Sequence, residues 1–372
     1  MSKKAKSAIS IPVTLKDITA AWLTEALAPN YPGVVVTSAK VSEFIGHKPN
    51  KARVTVKYNA AGNKAGLPAS LFIKGSLKPA AKLVDGLEAG LDIANEIECM
   101  AYKELVPLID VNTPKTYAVL FDKETYCGVI VMEDLLLSGA TFVKPMPSLN
   151  YAQTTAFIDA MARMHAPWLN SKELKAGGTF GPKSGLAKRT ALLHRGYFDH
   201  MATTPQWGDY VKEPRGAGVP RMYQDSARAA AAMNKMQVLH QACPNTIVHG
   251  DEHRGNLYLD AKGRPGFIDW CARIEPWVIG FTYFFVVVVD AMDRRQWERP
   301  MLSLYLERLA RYGATPPNFE EAWYMYRCTT VYPFVAWMIN AAVWQPEAVN
   351  TVNAMRGVMA MMDHDAYTLL GV

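Results

Sequence analysis

The residues best suited to chemistry are concentrated in one short stretch, residues 246–270, which reads TIVHGDEHRGNLYLDAKGRPGFIDW. Its polar side chains able to handle protons or bind metal ions include His249, Asp251, His253, Asn256 and Asp269. Asn256 follows Asp251 by five positions, and Asp269 follows Asn256 by thirteen. Two short apolar runs flank the stretch, so it reads as a β-rich turn that carries several reactive groups.

The spacing of the three oxygen-bearing side chains indicates phosphoryl transfer. An Asp-x-x-x-x-Asn loop followed by a strand that ends in Asp is the layout of a kinase catalytic loop and its metal-binding strand. Transfer to a hydroxyl needs an acceptor for the hydroxyl proton, a role that suits Asp251. It also needs oxygen ligands that hold magnesium against the phosphates, and Asn256 and Asp269 can supply them. We therefore predict Asp251, Asn256 and Asp269 as catalytic residues, the last two as metal ligands.

Other interpretations of the same residues are weaker. His249, Asp251 and His253 alternate along one face of a strand and could bind zinc, but no fourth ligand is evident. Asp269 alone would be read as a cap at a hairpin end, and its place after Asp251 and Asn256 favours the metal role. For His253 we expect a structural role, in which its hydrogen bonds hold the loop.

Composition limits the class of protein. The 372 residues are half hydrophobic and carry a net charge of +6, without a dense basic stripe, so we expect a globular protein that does not bind nucleic acid. The five cysteines are far apart and form no C-x-x-C pair, which favours a reducing compartment, the cytoplasm. No signal peptide is evident, and the apolar run at 281–289 is too short to span a membrane, so we expect a buried core element there.

The hydrophobic pattern predicts an α+β fold with a sheet-rich N-terminal part and a helical C-terminal part, divided near Asp134. Strands are predicted at 34–46, 52–59, 69–76, 115–122 and 126–134, and helices at 14–27 and 91–106. Beyond Asp134 helices are predicted at 151–166, 221–242, 297–312 and 319–345. The exception is a small hairpin, LYLD and PGFIDW, within the stretch described above. We expect domains at 1–134 and 135–372.

The motif VHGDEHRGNLYL, followed by GFIDW, resembles the aminoglycoside phosphotransferase and choline kinase superfamily. That superfamily has a His-Gly-Asp-x-His-x-Gly-Asn loop and a later Ile-Asp-Trp or Ile-Asp-Phe. The chain is most similar to its ecdysteroid-kinase-like branch. The resemblance implies a two-lobed, protein-kinase-like fold with ATP and Mg²⁺ as cofactors. The N-terminal lobe would bind the nucleotide, and the C-terminal lobe would hold the catalytic loop and the acceptor.

The resemblance also implies a lysine on a strand that contacts the phosphates and a helical glutamate that pairs with it. Lys74, in LFIKGS, fits the first role. Glu96 and Glu98 both flank the apolar stripe of the predicted 91–106 helix, so periodicity does not choose between them. The pattern ECMAYKEL is similar to the family's Glu-x-x-x-Tyr-x-Glu-Leu, which favours Glu98.

Two further nucleotide-binding segments are implied. A loop over the phosphates would be IGHKPNKARV, which has a single glycine, Gly46, so Lys48, Asn50 and Lys51 would contribute side-chain contacts in place of a glycine-rich backbone. A linker that presents backbone groups to adenine would be VMEDL, with the candidate residues Met132, Glu133 and Leu135.

The chain departs from the family pattern after the metal-binding strand. Gly280 or Phe281 stands where the family commonly has an Asp that braces the catalytic loop. Cys271 stands where Gln or Gly is frequent, and we expect a core cysteine there. His165, at the end of an apolar helix, is likewise expected to be a packed core histidine.

The sequence predicts the chemical class of the acceptor molecule less specifically than it predicts the catalytic residues. The segment AWYMYRCTTVYPFVAWMINAAVWQ is rich in aromatic side chains, which at helical spacing are more often core than pocket. If they line a pocket, they favour an apolar alcohol such as a sterol. The segment's few carboxylates argue against a polycationic aminoglycoside, and a choline-like cation could use an aromatic cage. The alternatives to an apolar-alcohol kinase are therefore an antibiotic O-phosphotransferase and a pseudokinase that binds ligands without turnover.

Overall fold

The computed structural model describes residues 9–12, 14–45, 50–75, 95–145, 147, 149–193, 205–342 and 344–372. The chain divides into two units. The N-terminal unit comprises Met1–Leu108 with Thr113–Ala140, and the C-terminal unit comprises Ile109–Asn112 with Thr141–Val372.

An antiparallel five-stranded sheet forms the N-terminal unit. Its strands are β1 (Val36–Ile45), β2 (Asn50–Tyr58), β3 (Ser70–Gly75), β4 (Thr116–Phe121) and β5 (Gly128–Glu133), in the order β1-β2-β3-β5-β4. All five predicted strands are present with small shifts at their ends. The register places Lys74 of β3 opposite Lys51 of β2 and Ile130 of β5.

One face of this sheet packs against helix α1 (Ala20–Leu27). Trp22, Leu23 and Leu27 of the helix are buried in one core with sheet residues such as Val54 and Leu71. The predicted 14–27 helix is interrupted: Leu15–Asp17 forms a separate 3-10 turn. The Thr19 hydroxyl accepts a hydrogen bond from the Trp22 amide and starts a new helix at Ala20.

Two other segments of the N-terminal unit are helical. The segment AAGNKAG contains a short helix, α2 (Ala60–Lys64), capped by Asn59. The predicted 91–106 helix is helical from 95 to 100 and continues as a π-helical turn over Ala101–Leu105; we call these residues α3. Positions 91–94 lie outside the described residues.

The C-terminal unit is mostly helical. Its helices are α4 (Tyr151–His165), α5 (Gly185–Leu193), α6 (Pro205–Lys212), α7 (Pro214–Ala217), α8 (Ser226–His240), α9 (Trp277–Val288), α10 (Ala291–Arg311), α11 (Phe319–Thr329), α12 (Val331–Met338), α13 (Glu347–His364) and α14 (Ala366–Leu370). Every residue of α9 is buried, which confirms the predicted core element. Among the described helices, none is both long and apolar enough to cross a membrane.

Three predicted helices have different bounds in the structure. The 221–242 segment begins as a 3-10 turn, and α8 starts only after Asp225, whose carboxylate accepts hydrogen bonds from two backbone amides. The helix predicted from 297 begins earlier, as α10, and runs through Pro300. The 319–345 segment is split into α11 and α12. Pro333, which lacks an amide hydrogen, lies in the first turn of α12, where no hydrogen-bond donor is needed.

Two small sheets hold the candidate catalytic stretch. Strand β7 (Asn245–Val248) pairs with β10 (Arg273–Pro276), and β6 (Thr141–Phe142), β8 (Leu257–Leu259) and β9 (Pro265–Phe267) form a three-stranded sheet. The antiparallel pairing of β8 with β9 is the predicted hairpin. The predicted fold class, an α+β chain with an N-terminal antiparallel sheet and a mostly helical remainder, is confirmed.

Candidate active site

The loop that joins β7 to β8, residues 249–256, carries the first two predicted catalytic residues; we call it the Asp251 loop. Gly250 adopts a φ of +89°, and an added Cβ there would lie 2.1 Å from the Cys271 carbonyl oxygen, so this turn requires glycine. Arg254–Asn256 forms a 3-10 turn that leads into β8. The chain thereby folds back, and Asn256 returns to the side of Asp251.

Hydrogen bonds hold the Asp251 carboxylate from two directions. The Asn256 side-chain amide donates to Asp251 Oδ2 at 3.0 Å and to the Asp251 carbonyl at 2.9 Å. The Tyr283 hydroxyl, on α9, donates to Asp251 Oδ1 at 3.0 Å. The Asp251 side chain nevertheless remains 40% exposed, so it is oriented and still accessible to a second molecule.

The Asp251 carboxylate is ionised at neutral pH. The surrounding protein opposes its charge, but the neighbouring His253, His249 and the Tyr283 hydroxyl outweigh this effect and keep the pKa of Asp251 below its usual value. An ionised carboxylate can accept a hydrogen bond from an incoming hydroxyl.

His253 holds the loop, as predicted. It is buried, and its Nδ1 accepts a hydrogen bond from the Gly255 amide at 3.0 Å. Its Nε2 lies 3.5 Å from Asp251 Oδ2, and its ring packs edge-on against Trp337. Burial opposes protonation, but Asp251 raises the pKa of His253. Because Nδ1 accepts this hydrogen bond, the ring carries a proton on Nε2, the nitrogen that faces Asp251.

His249 is committed to the backbone through both ring nitrogens. Nδ1 accepts from the Asp251 amide at 3.2 Å, so Nε2 carries the proton and donates to the Ile268 carbonyl at 2.8 Å. Burial lowers the pKa of His249 to about 4. Within the described part of the chain, no group of three or more His, Cys, Asp or Glu side chains could hold a metal ion. The two nitrogens of His249 are used for structure.

Asp269 lies directly beyond β9 in a left-handed conformation, with a φ of +59°, which is uncommon for a residue other than glycine. Such backbone strain is found most often at functional sites. The amide of the preceding residue, Ile268, donates to the Asn256 carbonyl at 3.0 Å. The two predicted metal ligands, Asn256 and Asp269, therefore belong to hydrogen-bonded neighbouring segments.

In the N-terminal unit, Lys74 and Glu98 form a buried ion pair. Lys74 Nζ lies 2.7 Å from Glu98 Oε1, and the two residues are 4% and 6% exposed. β3 provides the lysine and α3 provides the glutamate. Of the two glutamates that the sequence offered, the structure pairs Glu98 with Lys74; Glu96 is also buried.

The other predicted nucleotide-binding residues are placed as follows. Gly46, together with Lys48, lies outside the described residues. Asn50 is the first residue of β2. Met132 and Leu135 are buried, and Glu133, the last residue of β5, accepts a hydrogen bond from the Lys115 amide. The side chains of Met132, Glu133 and Leu135 are thus engaged in the unit's own structure.

The comparisons with known proteins decide the family. The sequence profile of the ecdysteroid kinase-like family matches residues 52–314, which is more than half of the chain. The chain belongs to the ecdysteroid kinase-like family. A comparison with curated protein sequences gave no match.

Several solved structures resemble this ecdysteroid kinase-like protein. A proposed aminoglycoside phosphotransferase from Ralstonia eutropha JMP134 superposes with a TM-score of 0.50 at 15% identity, covering 94% of this chain and 97% of that one. The choline kinase of Streptococcus pneumoniae gives 0.48 at 16% identity, with 92% and 98% covered. The ethanolamine kinase of Plasmodium vivax gives 0.48 at 11% identity, with 95% and 89% covered. The Ralstonia structure reaches the level that indicates a shared kinase-like fold.

Three expectations about single residues can be compared with the structure. His165 is fully buried, its Nδ1 lies 2.6 Å from the Tyr305 hydroxyl, and it is a packed core histidine as predicted. The expectation of a core cysteine at Cys271 was wrong, because this residue is only partly buried in the turn beside Asp269. Gly280 lies on the fully buried helix α9 and has no side chain with which to brace the Asp251 loop.

Tyr283 and Arg273 were not predicted from the sequence to lie at the site. Arg273 is buried beside the Asp251 loop, where it donates to the Gly250 carbonyl at 2.8 Å and to the Tyr332 hydroxyl at 2.8 Å. A signal existed for Tyr283, since a phenol inside the otherwise apolar run FTYFFVVVV must find a hydrogen-bond partner when it is buried. No sequence signal identified Asp251 as that partner.

Proposed function

We propose that the protein is an ATP-dependent kinase that transfers the γ-phosphate to a hydroxyl of a small molecule. The observation that carries the proposal is the Asp251 carboxylate, which is ionised, oriented by Asn256 and Tyr283, and still 40% exposed. A carboxylate in this state can orient an attacking hydroxyl and accept its proton. Positioning and charge stabilisation supply most of the rate in such reactions.

The predicted magnesium ligands suit that ion. The Asn256 amide nitrogen is used by Asp251, so we propose its Oδ1 as a metal ligand, and Asp269 would add a carboxylate. Magnesium prefers oxygen ligands and is often held by one or two protein groups together with phosphates and waters. When bound, the ion neutralises charge on the transferring phosphate. Asn256 would thus bind the ion through Oδ1 while its side-chain nitrogen holds Asp251 in place.

For Lys74 we propose contact with the nucleotide phosphates, with Glu98 keeping the lysine in position. A buried lysine whose side-chain nitrogen is paired at 2.7 Å has little freedom to move. We assign nucleotide binding to the 1–134 part, with further contacts from Gly46, Asn50 and the backbone of Met132, Glu133 and Leu135. We assign the acceptor to the 135–372 part.

As acceptor we propose an apolar alcohol, sterol-like or similar. The side chains next to Asp251 and His253 are aromatic: Tyr283, which packs on Tyr332, and Trp337. Two acidic residues of helices α11 and α13 are engaged elsewhere: Glu347 pairs with Arg215, and Glu320 lies 3.6 Å from Arg299. A polycationic aminoglycoside would need carboxylates that these pairs already use.

The aromatic residues of the segment AWYMYRCTTVYPFVAWMINAAVWQ mostly belong to the core. Tyr326, Tyr332, Phe334 and Trp337 are all buried, whereas Tyr324 is 40% exposed. The expectation that such a stripe is more often core than pocket is confirmed for these four residues. The proposal of an apolar acceptor therefore rests on the immediate surroundings of Asp251 and not on the whole stripe.

The test is magnesium-dependent ATP consumption by the purified protein, beside Asp251→Asn, with sterols, other apolar alcohols, aminoglycosides and choline as acceptors. Turnover with apolar alcohols that Asp251→Asn abolishes is the expected result. Turnover with aminoglycosides alone would replace the acceptor class and keep the kinase chemistry. ATP binding without any turnover would support the pseudokinase alternative, and failure to bind ATP would refute the proposal.

A further inference from the structure

Glu252 follows the proposed catalytic base and points in the opposite direction, into the protein. It is 1% exposed, whereas the Asp251 side chain is 40% exposed. The backbone amides of its neighbours in the loop lie close enough to its carboxylate to oppose the rise of its pKa. Glu252 is the residue directly after Asp251 in this loop. A buried carboxylate therefore lies close to the backbone of the Asp251 loop.

The Glu252 carboxylate fills the space beside Gly280. A Cβ added at Gly280 would lie 3.3 Å from Glu252 Oε1, 3.1 Å from His165 Cε1 and 3.1 Å from Val248 Cγ1. Among the described residues, Glu252 Oε1 has no hydrogen-bond partner. The side chain thus bridges from the Asp251 loop to helix α9, where the helix offers a glycine.

Arg273 is the nearby basic residue whose charge favours the ionised form of Glu252. Burial raises the pKa of Glu252 to about 7, against the effect of its backbone hydrogen bonds and of the nearby Arg273. Arg273 itself donates to the Gly250 carbonyl. The carbonyl of Gly250 is thus held by Arg273, while the buried Glu252 carboxylate lies nearby. A buried acid and a buried base therefore lie beside the segment that precedes Asp251.

We infer that Glu252 is a positioning residue for phosphoryl transfer, which fixes the Asp251 loop against α9, and that Gly280 must lack a side chain because Glu252 occupies that space. The inference rests on the proposed kinase function for its kinetic consequence. Without the Glu252 side chain, the space between the Asp251 loop and α9 would be left empty, and the loop would shift towards it. A displacement of about 1 Å at a reacting group lowers rates by about a hundredfold.

The experiment compares Glu252→Ala, Gly280→Asp and the double variant. Glu252→Ala should lower kcat by about 10- to 100-fold and leave KM for ATP within about twofold. Gly280→Asp alone should also be harmful, because a second carboxylate is forced against Glu252. In the double variant the aspartate enters the vacated space, and kcat should recover by about tenfold relative to Glu252→Ala. The contacts with His165 and Val248 are side-chain contacts that can yield by a few tenths of an ångström.

The matched control is Glu275→Ala. Glu275 is also a buried acid beside Arg273, with Oε1 3.9 Å from Arg273 Nε, but it lies on β10 outside the Asp251 loop. It should lower stability and leave kcat within about threefold. If Glu252→Ala does not fold, Glu252→Gln takes its place, because it keeps one oxygen acceptor and the side-chain shape. Its expected loss of kcat is smaller, about 3- to 10-fold.

Amide hydrogen exchange across residues 249–256 separates this inference from the proposed function, since it needs no turnover. Faster exchange in Glu252→Ala, reversed in the double variant, supports the inference even if the wild-type protein transfers no phosphate. Unchanged exchange with kcat within threefold of wild type would overturn it. So would a loss of kcat in Glu275→Ala equal to that in Glu252→Ala. A double variant no better than Glu252→Ala would overturn the part that concerns Gly280.

Discussion

The two units hold their candidate site residues by different means. In the N-terminal unit, Lys74 and Glu98 are placed by a strand and a helix, are almost fully buried, and meet through one short ion pair. In the C-terminal unit, Asp251 lies on a loop, is 40% exposed, and is oriented by separate hydrogen bonds from Asn256 and Tyr283. Regular structure places the first site, and a network of side-chain hydrogen bonds places the second.

This difference determines what a mutation should affect. A buried ion pair cannot lose one partner without leaving a buried charge, so changes at Lys74 or Glu98 should lower stability as well as activity. Asp251 is accessible to water, so replacing it should affect the reaction and leave the fold intact. The predictions that follow test this contrast, from the largest expected effect to the smallest.

Asp251→Asn should reduce kcat by about 10³-fold, because the amide keeps the shape of the carboxylate and cannot accept the hydroxyl proton. The midpoint of thermal unfolding should change by no more than about 3 °C, since the side chain is partly exposed. Steady-state kinetics and a thermal melt measure the two effects. A large loss of stability with little loss of kcat would remove the distinction between the two units.

Glu98→Gln should lower the free energy of unfolding by about 3 kcal/mol, because Lys74 would remain buried without its counter-charge. KM for ATP should rise in the same variant. Chemical denaturation and ATP titration measure the two effects.

The control for Glu98→Gln is Asp209→Asn, which breaks the exposed pair between Asp209 and Lys212, whose side chains are 74% and 79% exposed. This change should alter stability by less than about 0.5 kcal/mol. Equal changes in the free energy of unfolding in the two variants would mean that burial of the pair of Lys74 and Glu98 contributes nothing to stability.

As the pH falls, the C-terminal unit should lose stability before the N-terminal unit does. Burial lowers the pKa of His165 to about 3, whereas the unfolded chain has the ordinary value near 6.5. The unfolded state therefore binds a proton that the folded state does not, and stability falls as pH drops below about 6.5. At pH 5 the loss is about 2 kcal/mol from this residue. By contrast, the sequence of the N-terminal unit contains a single histidine, His47.

Denaturation of wild type and His165→Gln at pH 7 and pH 5 measures this effect. His165→Gln should be less stable than wild type at pH 7 and should show a smaller decrease between the two pH values. An unchanged decrease would assign the pH dependence to other groups.

Tyr283→Phe should have the smallest effect, a loss of kcat of about 3- to 10-fold, because one of the hydrogen bonds that orient Asp251 is removed. The control is Tyr326→Phe, which removes another buried phenol–carboxylate bond, from Tyr326 to Glu298 at 3.1 Å, away from the Asp251 loop. Both variants should lose similar stability, and only Tyr283→Phe should lose activity. Equal kcat values in the two variants would show that Asn256 alone suffices to orient Asp251.

Much of the fold was predictable because strand and helix periods are local properties. The five sheet strands and the hairpin of β8 with β9 were each read from alternating or continuous apolar runs. The wrong bounds have local causes too: Thr19 restarts a helix, and Pro333 lies where α12 begins after the break in the predicted 319–345 helix. Those breaks depend on single capping and proline residues, which are weaker signals than the hydrophobic period.

The sequence by itself determined which residues are candidates for chemistry, because Asp251, Asn256 and Asp269 are close along the chain and their order carries the pattern. Periodicity did not choose between Glu96 and Glu98, since both flank the apolar stripe of the same helix; the family pattern favoured Glu98, and the tertiary structure shows its pairing with Lys74. Only the tertiary structure decided that Tyr283 orients Asp251 and that Glu252 fills the space beside Gly280. Such contacts join residues that are distant in sequence, and they depend on side-chain direction and packing, which no local pattern specifies.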